Sequence, residues 1–404
     1  MLARIGRSLA KGRCMQKLPT WVDVDLDAFV ENLRAIRKSL AKDVAILLTV
    51  KADAYGHGAV QVAQAADEWV EWYGVATLDE ARELRKAEVR KKILILSPVL
   101  EKEIPGVVDN GFATTVSSLD FAVALAGYAA KIHTKVEAHV EIDTGMGRTG
   151  FFPEEAEALV SRIVRLDGLR LGGLFTHYPA SDTDPDFTRE QVRRFLAAVD
   201  RVKSAGIEVP LIHSANSAAL AAVPETHMQM VRPGLIAYGH QSAGTETFLR
   251  VRPVLSWKSR LVEIRRVPKG TPVSYGRTYI TSRDTLMGVV PVGYGHGYPF
   301  RLSNTGRMIV GGKLVSVMGR VTMDMTMVDL TDVSPAPAVG GEVVLIGKSS
   351  GVEITVSDLA RWAGTISYEI MCGISKRVPR MYLRDGRIET FKSLLGVLSS
   401  QVNV

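Results

Sequence analysis

Cysteine is almost missing from this sequence: two residues in 404, Cys14 and Cys372. Two thiols so placed make neither a disulfide framework nor a metal motif, and they fit a reducing compartment. No stretch approaches the roughly 20 consecutive apolar residues of a membrane span. The basic start, Met1 to Thr20, lacks an apolar run long enough for a signal peptide. The cytoplasm is therefore the expected location. Aromatic–basic interleaving is absent as well, and the formal net charge of +7 is spread along the chain. That pattern argues against nucleic acid as a partner, and an anionic small ligand needs only local positive charge. There is no internal repeat and no low-complexity segment. What is present, 46% hydrophobic and 23% charged residues, is a globular composition, and 404 residues suit two domains.

Short apolar runs alternate with helical patterns over the first part of the chain. The runs are VAILLTV (44–50), YGVAT (73–77), KILILS (92–97), FATTV (112–116), VEAHVEI (136–142), LRLGGLFT (169–176), VPLIHSA (209–215) and MQMVRP (228–233). Their length and β-branched content read as buried strands. LDAFVENLRAIRKSL, LDEARELRKA, EEAEALVSRIVR and REQVRRFLAAVDRVKS read as helices before and between them. Strand and helix alternating in this way point to an α/β protein with an N-terminal (β/α)8 TIM barrel. The competitor is a doubly wound open sheet, whose usual Gly-rich phosphate loop after the first strand is missing here. After about residue 250 the runs are divided by Gly, Pro and Asp turns, and helices vanish until VSDLARWAG (356–364). This texture predicts a C-terminal, mainly antiparallel β domain. The expected division is a tail at 1–19, the barrel at 20–253, the β domain at 254–385 and a second tail at 386–404.

Polar residues cluster where barrel strands end, the face on which barrel enzymes place their sites. Lys51 follows the first run, and a neutral amine there could form an imine with an aldehyde cofactor. Tyr55, Gly56, His57 and Gly58 then read as a polar, flexible turn. Arg148 lies in the Gly-rich DTGMGRTG, His177 in FTHYPASD, Ser217 in HSANSAA, and Arg232 and Gly234 in RPGLIAYG. Small residues opening a helix expose N–H groups that suit a phosphate. The β domain adds Tyr275 in VSYGRTY, Tyr294 in PVGYGHGYP, and Met323 with Asp324 in GRVTMDMTMVD. Each piece alone is an ordinary loop or packing residue. Together they indicate a barrel enzyme for a phosphate-bearing ligand, with a lysine in the site.

VKADAYGHG, IDTGMGRTG, HSANSAA, MVRPG, VSYGRTY, VGYGHGYP and GRVTMDMTMVD, in this order, closely resemble the alanine racemase family of fold-type III pyridoxal-phosphate enzymes. The resemblance runs from about Thr20 to Arg380. It implies an enzyme that interconverts L- and D-alanine by two opposed bases, supplying D-alanine for peptidoglycan or breaking it down. Lys51 would hold pyridoxal 5'-phosphate (PLP) as an imine. Tyr55, Ser217, Gly234, Leu235 and Tyr368 would bind its phosphate, Arg232 would face its pyridine nitrogen, and His177 would stack near its ring. Arg148 would contact its phenolic oxygen and the substrate carboxylate, which the Met323 N–H would also hold. Lys51 would act as base on D-alanine and Tyr275 on L-alanine. Tyr275, Tyr294 and Met323 would come from the partner of a homodimer. No metal is implied.

One departure from the family stands out. Where many members carry a lysine that becomes carbamylated, this chain has Glu141, seven residues before Arg148. Its carboxylate is expected to orient Arg148 directly. Other readings of the same motifs are a fold-type III decarboxylase, a broad-specificity or serine racemase, and a single-barrel PLP carrier. The decarboxylase typically puts an acid where Arg232 stands, and the carrier has no β domain.

Overall fold

The computed structural model describes residues 18–241 and 249–399. Cys14, most of Met1 to Thr20 and the extreme C-terminus lie outside them. The chain divides into two compact units. One comprises Ala28–Ala54 and Ala59–Arg252, and the other the segment up to Asp27, Tyr55–Gly58 and everything from Pro253 onward. Among the described residues, no helix is long and apolar enough to cross a membrane.

The first strand, β1 (Thr20–Asp25), precedes the barrel. The next eight, β2 (Ala45–Thr49), β3 (Trp72–Val75), β4 (Lys92–Ile95), β5 (Ala113–Val116), β6 (Val136–Glu141), β7 (Leu169–Phe175), β8 (Leu211–His213) and β9 (Met230–Val231), close a parallel barrel. Each matches one of the eight apolar runs. The ring is completed where Ala45 pairs with Met230 and Ile46 with Val231. Leu47, Trp72, Leu94, Ala113 and Met230 pack into one buried apolar cluster. Burial on both faces explains why these strands read as continuous apolar runs.

The intervening helices follow local signals. Leu78–Lys86 opens with a capping box, in which the Thr77 hydroxyl accepts from the Glu80 N–H and the Glu80 carboxylate returns to the Thr77 N–H. Pro185–Ser204 begins with Asp184 accepting from the Phe187 N–H and carries proline in its first turn.

The second unit is built on a twelve-stranded sheet, mainly antiparallel as the turn-rich texture predicts. Two boundaries differ from the sequence expectation. β1 does not join the barrel; it pairs antiparallel with Leu255–Arg260 and parallel with Arg380–Arg384. The region expected to be a tail forms strands Arg387–Ser393 and Gly396–Ser399, which extend the same sheet. Phe391 is the reason: it is buried with Trp21 and Met381, so a segment that looks weakly apolar in isolation has a core to join.

Candidate active site

The chain makes an unusual turn directly after Lys51. Ala52, Asp53, Ala54 and Tyr55 all have φ between +52° and +54°, a run of left-handed helical geometry without a glycine. L-residues resist this by about 1–2 kcal/mol each, so the surroundings must impose it. Glu80 receives the Ala52 N–H at 2.7 Å and the Ala76 N–H at 2.7 Å through its two oxygens. Asp53 accepts from the Ala59 N–H at 2.9 Å, and the Ala54 N–H returns to the Val50 carbonyl. Strain concentrated beside one lysine is the mark of a fixed functional position.

The stretch that follows, expected to be a flexible turn, is neither exposed nor loose. Gly56, His57 and Gly58 are buried. A Cβ on Gly56 would lie 2.2 Å from the Met371 carbonyl oxygen, so only glycine fits there. The Arg380 guanidinium, also buried, donates to the carbonyls of Gly56, Ile374, Ser375 and Val378. Within this unit Tyr55 and Tyr368 are neighbours, with ring centroids 5.8 Å apart.

In the barrel unit the structure brings together most of the residues singled out. Arg232, buried at the end of β9, donates to the Thr176 carbonyl at 2.8 Å, the Ser214 carbonyl at 3.0 Å and His213 Nδ1 at 2.7 Å. His177 Nδ1 lies 3.4 Å from the same guanidinium. Burial, reinforced by the charges of Arg232, Arg148 and Lys51, pushes His177 down to about 3, so its imidazole is neutral. His177 therefore shares one electrostatic neighbourhood with Arg232, Arg148 and Lys51, and the buried Glu141 carboxyl interacts with the same two arginines. Burial also lowers Arg232 to about 10, still well above neutrality. The Ser217 hydroxyl accepts from the Gly234 N–H at 2.9 Å and the Ile236 N–H at 3.3 Å. Leu235 opens the short 3-10 turn that follows. Asn216 caps the helix Ser217–Ala222.

Glu141 is buried, and burial raises its carboxyl above the usual range. It accepts from the Thr149 hydroxyl at 2.6 Å, while Arg148 Nη2 stands 4.0 Å away. The pair is in contact but not hydrogen-bonded.

The remaining predicted residues sit in the other unit. Tyr275, Tyr294 and Met323 are 71%, 46% and 53% exposed. Tyr294 and Met323 are neighbours: the Tyr294 N–H donates to the Thr322 carbonyl and the Gly295 N–H to the Met323 carbonyl. Tyr275 sits in a turn anchored by the Ser274 hydroxyl on the Arg320 carbonyl.

Sequence reasoning passed over His139, His213 and Glu137. The signal was available: VEAHVE alternates, and period two places Glu137, His139 and Glu141 on one face of β6.

A closed parallel barrel with a cationic cluster at its strand ends, joined in one chain to a mainly antiparallel β unit, defines the class: a barrel enzyme with a site for an anionic ligand. Comparison with known proteins narrows the class. The alanine racemase N-terminal domain family matches residues 24–242, and the C-terminal domain family matches residues 254–382. Alanine racemase 2 of Caldanaerobacter subterraneus subsp. tengcongensis is 39% identical over 383 residues, covering 94% of this chain and 98% of that protein. Alanine racemase of Halothermothrix orenii is 40% identical over 367 residues, covering 90% and 97%. Among solved structures, alanine racemase of Clostridium difficile 630 superposes with a TM-score of 0.89 at 34% identity, covering 93% of this chain and 99% of that one. Alanine racemase of Bacillus anthracis with bound L-Ala-P superposes at 0.87 and 32% identity, covering 94% and 97%. The chain belongs to the alanine racemase family and is an enzyme of the racemase type.

Proposed function

We propose that this enzyme interconverts L-alanine and D-alanine with PLP, and that Lys51 and Tyr275 are its two bases. The observation that carries the reading is the cationic cluster of Lys51, Arg148 and Arg232 around a neutral His177, beside the Ser217 hydroxyl and the Gly234 and Ile236 amides. This donor set fits PLP: an amine for its aldehyde, hydroxyl and N–H donors for its phosphate, and guanidinium donors for its ring and for a substrate carboxylate. On the family resemblance, Gly234, Leu235, Tyr55 and Tyr368 belong to the phosphate set. Bound PLP supplies electron withdrawal that acidifies the substrate α-proton.

The residues of the chain do the rest. Arg148 and the Met323 N–H hold the substrate carboxylate, so the α-carbon stays in one place while its proton leaves and returns. The Lys51 amine removes or delivers that proton on one face, and the Tyr275 phenol acts on the other. Arg232 would hold the ring nitrogen of PLP as a donor and would keep its own proton, because a group lowered only to about 10 remains charged at neutral pH. A donor that keeps its proton would leave the ring of bound PLP without a full positive charge, which would limit electron withdrawal and disfavour transamination and decarboxylation. Tyr275, Tyr294 and Met323 are assigned to the partner subunit of a homodimer, and their exposure supports that assignment. A cytoplasmic location, and a role in supplying peptidoglycan precursor or consuming D-alanine, complete the reading.

Incubation with each L-amino acid, read by chiral chromatography, tests it. D-Alanine is expected to form fastest; no product from alanine removes the preferred substrate, and equal rates with serine favour a broad-specificity racemase. Tyr275→Phe is expected to lower racemisation about 10²–10⁴-fold while the protein still takes up PLP. Unchanged turnover would remove the phenol from its role.

A further inference from the structure

Behind Arg232 lies a file of titratable groups that the reaction above does not use. His213 Nδ1 is 2.7 Å from Arg232 Nη1, His213 Nε2 is 2.9 Å from His139 Nδ1, and His139 Nε2 is 3.8 Å from Glu137 Oε1. Both imidazoles are fully buried. At the far end Glu137 holds Lys92 at 2.9 Å and Arg170 at 2.7 Å. β7 makes room for this file. A Cβ on Gly172 would come within 2.7 Å of His139 Nε2 and 2.9 Å of Glu137 Oε1, and one on Gly173 within 3.1 Å of His139 Nδ1. The register of β6 against β7 slips at this point, between Ala138 and His139. His213 lies flat on Phe175, with centroids 5.0 Å apart and planes 7° apart, and His139 meets Trp72 edge-on.

The direction of this file follows from donor chemistry. A guanidinium only donates, so His213 Nδ1 must be the bare, accepting nitrogen. A neutral His213 therefore carries its proton on Nε2 and donates to His139. His139 Nδ1 accepts, so its own proton sits on Nε2, on the side of the Glu137 carboxylate 3.8 Å away, too far for a hydrogen bond but near enough for attraction. A second proton on either ring would set two N–H groups against each other. Burial opposes it too, holding both histidines below their ordinary range.

We propose that His213 and His139 form a one-way hydrogen-bond chain, with the Glu137 carboxylate 3.8 Å beyond its far end, that makes His213 the positioning residue for Arg232. Every proton in the chain points away from Arg232. His213 touches the guanidinium and His139 stands behind His213, yet neither delivers a proton toward Arg232. The guanidinium is fixed in plane and stays the terminal donor. The proposal rests on the reading that Arg232 faces the ring nitrogen of PLP; it adds the device that keeps that nitrogen from being protonated by its surroundings.

The test begins with the intact protein labelled with ¹⁵N-histidine, with and without PLP. Ring nitrogen shifts are followed from about pH 6 to about pH 9, where an ordinary imidazole titrates. His139 and His213 are expected to stay neutral with the proton on Nε2 throughout. A proton on Nδ1 of either ring, or titration of either in that range, overturns the proposal. Variants supply the second arm. His213→Asn keeps an oxygen that accepts from Arg232; His213→Phe keeps a ring and removes the acceptor. With L-alanine and PLP, the readout is pyruvate formed per D-alanine. Each pyruvate reports one amino group moved onto the coenzyme aldehyde, which balances without an added oxidant. The Phe variant is expected to raise this ratio about tenfold or more, the weight of one hydrogen bond to a charged group, while the Asn variant stays near wild type. Equal ratios in both variants, whatever their stability, overturn it. If wild-type protein fails to racemise alanine, the functional reading falls, and the nitrogen shifts still decide the direction of the chain.

Discussion

Replacing Glu137 by Gln exposes how much of the barrel's stability is electrostatic. Burial pushes the Glu137 carboxyl up, yet contacts with His139, Lys92 and Arg170 outweigh it and bring the group from 4.5 to about 2. At about 1.36 kcal/mol per pH unit, that difference is worth at most ~3.4 kcal/mol. The Lys92 and Arg170 side chains are 55% and 54% exposed, so water screens both partners. A realistic loss is then about 1–2 kcal/mol. The folded state favours the ionised form, so the contribution is complete above the unfolded value near 4.5. It disappears as pH falls toward the folded value near 2. Urea unfolding of wild type and Glu137→Gln, at one fixed protein concentration, reads this directly. The two midpoints should differ fully at pH 7 and converge between about pH 4.5 and pH 2. A gap that stays constant across that window would falsify the electrostatic account and leave only shape.

Glu141→Gln keeps the shape and removes the charge. With Arg148 half exposed and 4.0 Å away, the lost attraction raises KM for alanine by about two- to fivefold, and unchanged kinetics would rule out a role in orienting Arg148. Gly56→Ala meets both a φ of +81° and a carbonyl oxygen 2.2 Å from the new Cβ. The expected cost is about 2–4 kcal/mol, read as a lower urea midpoint, and a neutral result would show that the Met371 carbonyl yields easily.

The eight barrel strands were legible because doubly buried strands leave unbroken apolar runs. The positions of Lys51, Arg148, His177, Ser217 and Arg232 were legible because each closely follows such a run. Other features depend on partners distant in sequence. Thr20–Asp25 falls inside the 20–253 segment expected for the barrel, and only Leu255–Arg260 and Arg380–Arg384 on either side of it place β1 in the other sheet. Arg387–Ser393 gains its place only through Phe391 against Trp21 and Met381. His213 reads as part of a small polar cluster, and nothing nearby announces His139 and Arg232 on its two nitrogens. The left-handed turn was hidden for a different reason: alanine disfavours positive φ, and one of the contacts that hold the turn comes from Glu80, some thirty residues downstream.

That turn has a stereochemical consequence. The backbone angles at Ala52, with φ 54° and ψ 49°, are the mirror image of those an ordinary helix asks of an L-residue, and its methyl group is exposed. D-Alanine placed there by peptide ligation would adopt the same angles without the steric penalty of about 1–2 kcal/mol. On the reading proposed here, one of the two enantiomers this enzyme interconverts is the one its own backbone accommodates better, one residue past Lys51.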